Sequence, residues 1–247
     1  MNLNGRFFAF GCSFTASNSR PTWADVVGRH FYEYQNWAQG GMGNQFIFNQ
    51  LIECNHRNKF VSSDNIMIMW TSITREDRYI KKKSGWFGKG NIFWSNDYSQ
   101  EFIKNLTCER GYLIRDLAIV AAAKQLLDHW GVNYKMFTMM PFGLAESIDK
   151  FDNDNMDVYN LYSDILSIIK PSVYEVVFNS RNWNEKQSNF GAFVSPGVRD
   201  PHPDPKEVLQ YLTTVLPELS IKPEIVEWVN NFKLGDHNPE YFNVQRF

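Results

Sequence analysis

Four consecutive apolar side chains, Phe7, Phe8, Ala9 and Phe10, end abruptly in Gly11-Cys12-Ser13-Phe14-Thr15. A run that is apolar at every position, rather than at alternate ones, is buried on both faces, as in a strand inside a parallel sheet. Parallel strands need crossover connections, so such a chain alternates strands with helices. The rest of the sequence follows that rule. Residues 32–37 read as a short extended piece, 65–70 (Asn-Ile-Met-Ile-Met-Trp) as a buried strand, 134–140 as a strand ended by Pro141, and 173–177 as the last strand. Pro21 is expected to open a helix reaching about residue 30, and a second helix runs through Ile52 and Cys54. Residues 111–130 are the clearest helix, with Leu113, Leu117, Val120, Ala121 and Leu127 on its apolar positions and Gly131 at its stop. Another helix is expected over 156–170. Asp204, Pro205 and Glu207 occupy the N-cap, N1 and N3 places of a final core helix through Val208, Leu209, Leu212 and Leu216. The pattern predicts an α/β fold with a doubly wound parallel sheet.

A chain of 247 residues suffices for one large α/β domain, and no Pro/Gly/Ser-rich linker divides it. The expected organisation is a domain over residues 1–216, interrupted by an insertion at about 77–105 that lacks a clean period. A C-terminal helical extension and tail follow over 217–247, with an amphipathic segment at Ile225, Trp228, Val229 and Phe232. A net charge of -2 and a single short basic cluster, Lys81-Lys82-Lys83, argue against a nucleic-acid partner. No apolar stretch approaches the roughly 20 residues of a membrane span. The opening Met1-Asn2-Leu3-Asn4-Gly5-Arg6 does not resemble a secretion signal, so cytoplasmic synthesis is expected.

Cys12, Cys54 and Cys108 include no close-spaced pair, and His30, His56, His129 and His237 are scattered. Asp152, Asp154 and Asp157 lack the Gly and closing Glu of a calcium loop. Gly40-Gly41-Met42-Gly43 lacks the Lys-Ser/Thr of a phosphate loop. Neither metal nor organic cofactor is expected. Aromatic residues make up 16% of the chain, and Trp86, Phe87, Phe93, Trp94, Tyr98 and Phe102 fall in the insertion. They would close a satellite core, stack on sugar faces or bury in a protein interface.

Ligands of open α/β sheets bind in the crevice beyond the carboxyl ends of the strands. Three segments fall there: the Ser13 turn, Asn36-Trp37-Ala38-Gln39-Gly40-Gly41-Met42-Gly43-Asn44, and Asp200-Pro201-His202-Pro203. A hydroxyl is a poor nucleophile until a base takes its proton, and acyl transfer further needs a group orienting the base and donors for the oxyanion. Ser13 is the candidate nucleophile, His202 the base and Asp200 the orienting acid. The Gly41 and Ser13 N–H groups are candidate oxyanion donors. Asn44, Arg75 and Trp70 are candidate substrate contacts beside the crevice.

At these residues the chain resembles the SGNH (GDSL-like) hydrolase family. Gly11-Cys12-Ser13-Phe14-Thr15 resembles its first block, Asn36-x-Ala38-x-x-Gly41-x-Gly43-Asn44 its second, and Asp200-x-His202-Pro203 its last. The resemblance implies a three-layer α/β/α sandwich, flavodoxin-like, with a mainly parallel five-stranded sheet. It also implies ester substrates, such as short acyl esters or acetyl groups on carbohydrates. The third block departs. Where the family has Gly-x-Asn-Asp after the strand, this chain has Thr71-Ser72-Ile73-Thr74-Arg75, with Ser72 nearest the Asn place as a substitute oxyanion donor. That departure, the aromatic insertion and the tail support a rival reading: a non-catalytic binding or assembly protein on the same scaffold, with protein partners on those two segments. Its overall character suits a component of a phage particle.

Overall fold

The structure, a computed structural model, describes residues 2–16, 20–81, 85–88, 90–92, 98–142, 155–178 and 202–233. Its core is a sheet of four parallel strands: β1 (Phe7–Phe10), β2 (Tyr34–Asn36), β3 (Asn65–Trp70) and β6 (Asn133–Thr138). They lie in the order β2-β1-β3-β6. The chain therefore steps from β1 outward to β2 and crosses back to β3, which makes the carboxyl end of β1 the switch point of the sheet.

Alternate side chains of these strands feed two cores. Phe7, Ala9, Met67, Met69 and Phe137 pack with α1 (Trp23–Gly28), α7 (Pro205–Val215) and α8 (Pro223–Asn231). Phe8, Phe10, Ile66, Ile68, Trp70 and Met136 pack on the other face with α2 (Asn44–Asn58), α4 (Glu109–Trp130), α5 (Met156–Leu161) and α6 (Ser163–Ile168). Helices thus cover both faces, which is why β1 and residues 66–70 of β3 are apolar throughout. Helix α8 belongs to the same core as the sheet: Ile225 and Val229 are buried in it, and the Arg29 guanidinium lies 3.7 Å over the Trp228 ring.

Several expectations need correction. Among the described residues the parallel sheet has four strands rather than five. Residues 173–177 do not form a strand; Tyr174–Phe178 is a single π-helical turn. Its start is fixed by Ser172, whose N–H and hydroxyl donate to Glu175 Oε2 (both 2.7 Å) while Glu175 N donates to Ser172 Oγ (3.0 Å). The place beside β6 goes instead to Ile169, which forms one parallel bridge to Met136. The helix expected over 156–170 is two short ones, α5 and α6. Pro21 precedes the first helix rather than opening it, since Thr22 is the N-cap of α1. The insertion carries an antiparallel ribbon, β4 (Arg78–Ile80) with β5 (Gly85–Phe87), and helix α3 (Gln100–Leu106). Phe93, Trp94, Asp152, Asp154, Lys82, Lys83 and the tail from 234 to 247 lie outside the described residues. No described helix is long and apolar enough to cross a membrane.

A polar tie joins α2, β3 and α4 on the second face. Asn44 is fully buried; its Nδ2 donates to Thr71 O (3.1 Å) and Asp116 Oδ2 (2.7 Å), and its Oδ1 accepts from Thr71 N (2.8 Å). Asp116 also accepts from Arg115 Nε (2.6 Å). Burial pushes the Asp116 carboxyl up to about 6 despite the pull of Arg115 and Asn44. The fold therefore holds this proton more tightly than the unfolded chain does. The group's contribution to stability is greatest below the unfolded pKa of about 4 and is lost as pH rises to about 6. Asp116→Asn cannot titrate, so denaturant unfolding should show wild type gaining over the variant by roughly 2 kcal/mol more at about pH 4.5 than at about pH 7. An equal gap at both pH values would contradict this.

Candidate functional site

The turn after β1 is built from the backbone outward. The N–H groups of Thr15 and Ala16 both donate to Cys12 O (2.9 and 2.8 Å), closing a tight loop with Ser13 at its apex. Thr15 is fully buried, and its carbonyl accepts from Asn36 Nδ2 (2.8 Å) and lies 2.9 Å from Thr22 Oγ1. Its hydroxyl accepts from Trp23 Nε1 (3.0 Å). The turn is thus tied to β2 and to the start of α1. Gly11 leaves the space that Thr15 fills: a Cβ there would overlap Thr15 Oγ1 and lie 2.7 Å from Thr15 Cβ.

Ser13 is half-buried and lines a cleft of about 120 Å³ together with Phe14, Arg20, Thr22, His202 and Pro203. His202 stands two residues before the N-cap of α7, and its ring centroid lies 4.8 Å from that of Phe14. The cap is reciprocal: Glu207 N donates to Asp204 Oδ1 (2.9 Å) and Asp204 N donates to Glu207 Oε2 (2.8 Å). It fixes where the chain carrying His202 enters the helix. Two of the three residues expected to act together thus share one cleft at the switch point. Asp200 lies outside the described residues.

The second segment runs alongside. Trp37 N donates to Ala9 O (2.8 Å) and Gln39 N to Gly11 O (3.3 Å), so the loop toward Gly41 extends the β1–β2 pairing past the strand ends. Gly41 has φ +78°, a conformation that side chains disfavour, and a Cβ there would lie 2.8 Å from Gly88 O. Among the described residues, the backbone N–H groups of Ser13 and Gly41 donate to no acceptor.

The other expected contacts are placed differently. Asn44 is hydrogen-bonded to Thr71 and Asp116, and Trp70 is fully buried in the second core; neither side chain lines the cleft of Ser13 and His202. Ser72 is buried, with its hydroxyl 2.8 Å from Thr74 Oγ1 and accepting from Thr74 N (3.3 Å). That is a local turn closed by the Thr74 N–H and hydroxyl. Arg75 is 8% exposed; Nη1 donates to Met42 O (3.1 Å) and Nη2 lies 3.8 Å from Met139 Sδ. It points back at the Gly41 loop and into the core rather than outward. Sequence reasoning missed Thr15 and Asp77. Asp77 accepts from Gly43 N (2.6 Å) and Phe46 N (2.8 Å) at the start of α2, a contact across more than thirty residues that no local pattern reveals.

No family model and no curated protein matches the chain. Among solved structures it is similar to protein YxiM of Bacillus subtilis, at 14% identity and a TM-score of 0.34, over 65% of this chain and 42% of that one. The chain thus spans less than half the length of that neighbour.

If the Gly11–Thr15 contact sets the Ser13 turn, Gly11→Ala should destabilise the fold by about 1–3 kcal/mol through overpacking. Thermal unfolding checks this. An unchanged midpoint would show that the turn tolerates a Cβ.

Proposed function

We propose that the chain is a serine-dependent ester hydrolase on a three-layer α/β/α scaffold of SGNH type. The observation that carries this reading is the shared cleft: Ser13 and His202, 189 positions apart by the sequence numbering, line one depression at the carboxyl end of β1. In the proposed reaction, His202 takes the proton of Ser13 Oγ as that oxygen attacks the ester carbonyl. The N–H groups of Ser13 and Gly41 receive the developing oxyanion. The protonated imidazole then passes its proton to the departing alcohol as the C–O bond breaks. Water, deprotonated in turn by His202, hydrolyses the acyl-serine. Asp200, two residues before His202, is assigned the part of orienting the imidazole on the sequence resemblance alone.

A cleft of about 120 Å³ favours a small acyl group over a long chain. Acetyl and other short esters, including O-acetyl groups on carbohydrates, are the substrates it suits. A second reading, a binding or assembly protein that retains the scaffold, draws support from Ser72, which is buried with its hydroxyl against Thr74, and from Tyr79, which stands 58% exposed on the β4–β5 ribbon. Attachment to a phage particle belongs with that second reading.

Ser13→Ala should lower kcat/KM for p-nitrophenyl acetate by at least about 1000-fold, with the thermal midpoint little changed. Equal turnover by wild type and variant would defeat the mechanism. No turnover by either, joined to stable association with other chains, would favour the second reading.

A further inference from the structure

The third block is the place where this chain departs most from the family it resembles, and its structure assigns that segment another task. We infer that Arg75 and Asp77 are positioning residues that clamp the Gly41-Met42-Gly43 turn and so hold the Gly41 N–H as an oxyanion donor. This rests on the hydrolase reading above.

A peptide unit is planar, so holding its oxygen and its N–H fixes the whole plane. The unit between Met42 and Gly43 is held at both ends. Arg75 Nη1 donates to its carbonyl oxygen (3.1 Å), and Asp77 Oδ1 accepts from its N–H (2.6 Å). The unit before it is held by Gly90 N, which donates to Gly41 O (2.9 Å). These two successive units anchor the backbone that follows Gly41, and at φ +78° the Gly41 N–H leads directly into it. That N–H donates to no acceptor among the described residues.

Asp77 does a second job with its other oxygen, which accepts from Phe46 N (2.8 Å). Gly43 is the N-cap of α2 and has no side chain to cover the first-turn N–H groups, so Asp77 covers them from outside. Gly43 has to be glycine for this to work, because a Cβ there would lie 2.8 Å from Asp77 Oδ2 and 3.0 Å from Arg75 Cβ. The clamp is itself anchored. Arg115 Nη2 donates to the carbonyls of Ile73 and Arg75 (both 3.1 Å), and Ile92 N donates to Thr74 O (3.0 Å). The neighbouring acids are otherwise engaged: Asp116 holds Arg115 Nε (2.6 Å) and Glu76 faces Arg115 Nη1 (3.8 Å).

The test uses the full chain with p-nitrophenyl acetate kinetics and amide hydrogen exchange over residues 41–46. Asp77→Asn keeps the shape but sets an NH2 against one of the two backbone donors. Its kcat should fall about 10- to 100-fold while KM stays within about twofold, and exchange over 41–46 should quicken at least about tenfold. Arg75→Met should act in the same direction from the other end of the peptide, and Arg75→Lys should recover most of the lost kcat. Arg75→Met also carries the test should Asp77→Asn fail to fold. Unaltered exchange in both variants would show that there is no clamp. Quickened exchange with unchanged kcat, or a rise in KM alone, would show a clamp that does not serve the oxyanion. A wild type without turnover, whose exchange still quickens on substitution, would refute the hydrolase reading and with it the catalytic role, while leaving the clamp itself in evidence.

Discussion

One carbonyl oxygen, that of Thr15, determines how β1 ends. It receives Asn36 from the neighbouring strand and faces Thr22 at the cap of the following helix, so three segments converge on a single buried acceptor. A buried carbonyl without partners costs about 1–3 kcal/mol, and here the partners come from two different elements, β2 and the start of α1. The consequence is a turn with little freedom. Ser13 stands at its apex because Thr15 and Ala16 both turn back to Cys12 O.

The same economy operates across the rest of the rim. Polar side chains at the strand ends are mostly spent on backbone groups of other loops: Asn44 on Thr71, Arg75 on Met42, Asp77 on Gly43 and Phe46. Such bonds specify loop geometry more than they add net stability, since each replaces a bond to water. What they leave uncommitted is informative. Among the described residues the N–H groups of Ser13 and Gly41 have no acceptor, on loops tied down nearby at Thr15, Ala16, Gln39, Met42 and Gly43. Preorganised donors of that kind are what acyl transfer requires, because they need no rearrangement as charge develops.

Much of this was legible in the chain itself. The apolar runs at 7–10 and 65–70 became strands with those bounds, Gly131 ends α4 in a left-handed conformation, and the Asp204/Glu207 box caps α7. The valine-rich stretch 173–177 misled because β-branched residues suit a strand. Yet Ser172 and Glu175 stand at capping-box spacing, and that signal announced the helical turn actually present. Ser72 was open to a similar reading, since a hydroxyl two residues before Thr74 favours a local turn over a ligand. The role of Asp77 was not legible. A carboxylate capping a helix that begins 33 positions earlier is a tertiary contact, and the glycine it serves, Gly43, looks in sequence like part of a flexible loop.

The proposed chemistry depends on Ser13 acting as the nucleophile. Reaction of the folded chain with a fluorophosphonate, followed by peptide mapping, reads this directly. A single adduct on Ser13, absent from Ser13→Ala and suppressed in His202→Ala, is the predicted result. No adduct, or an adduct elsewhere that survives in Ser13→Ala, would contradict it.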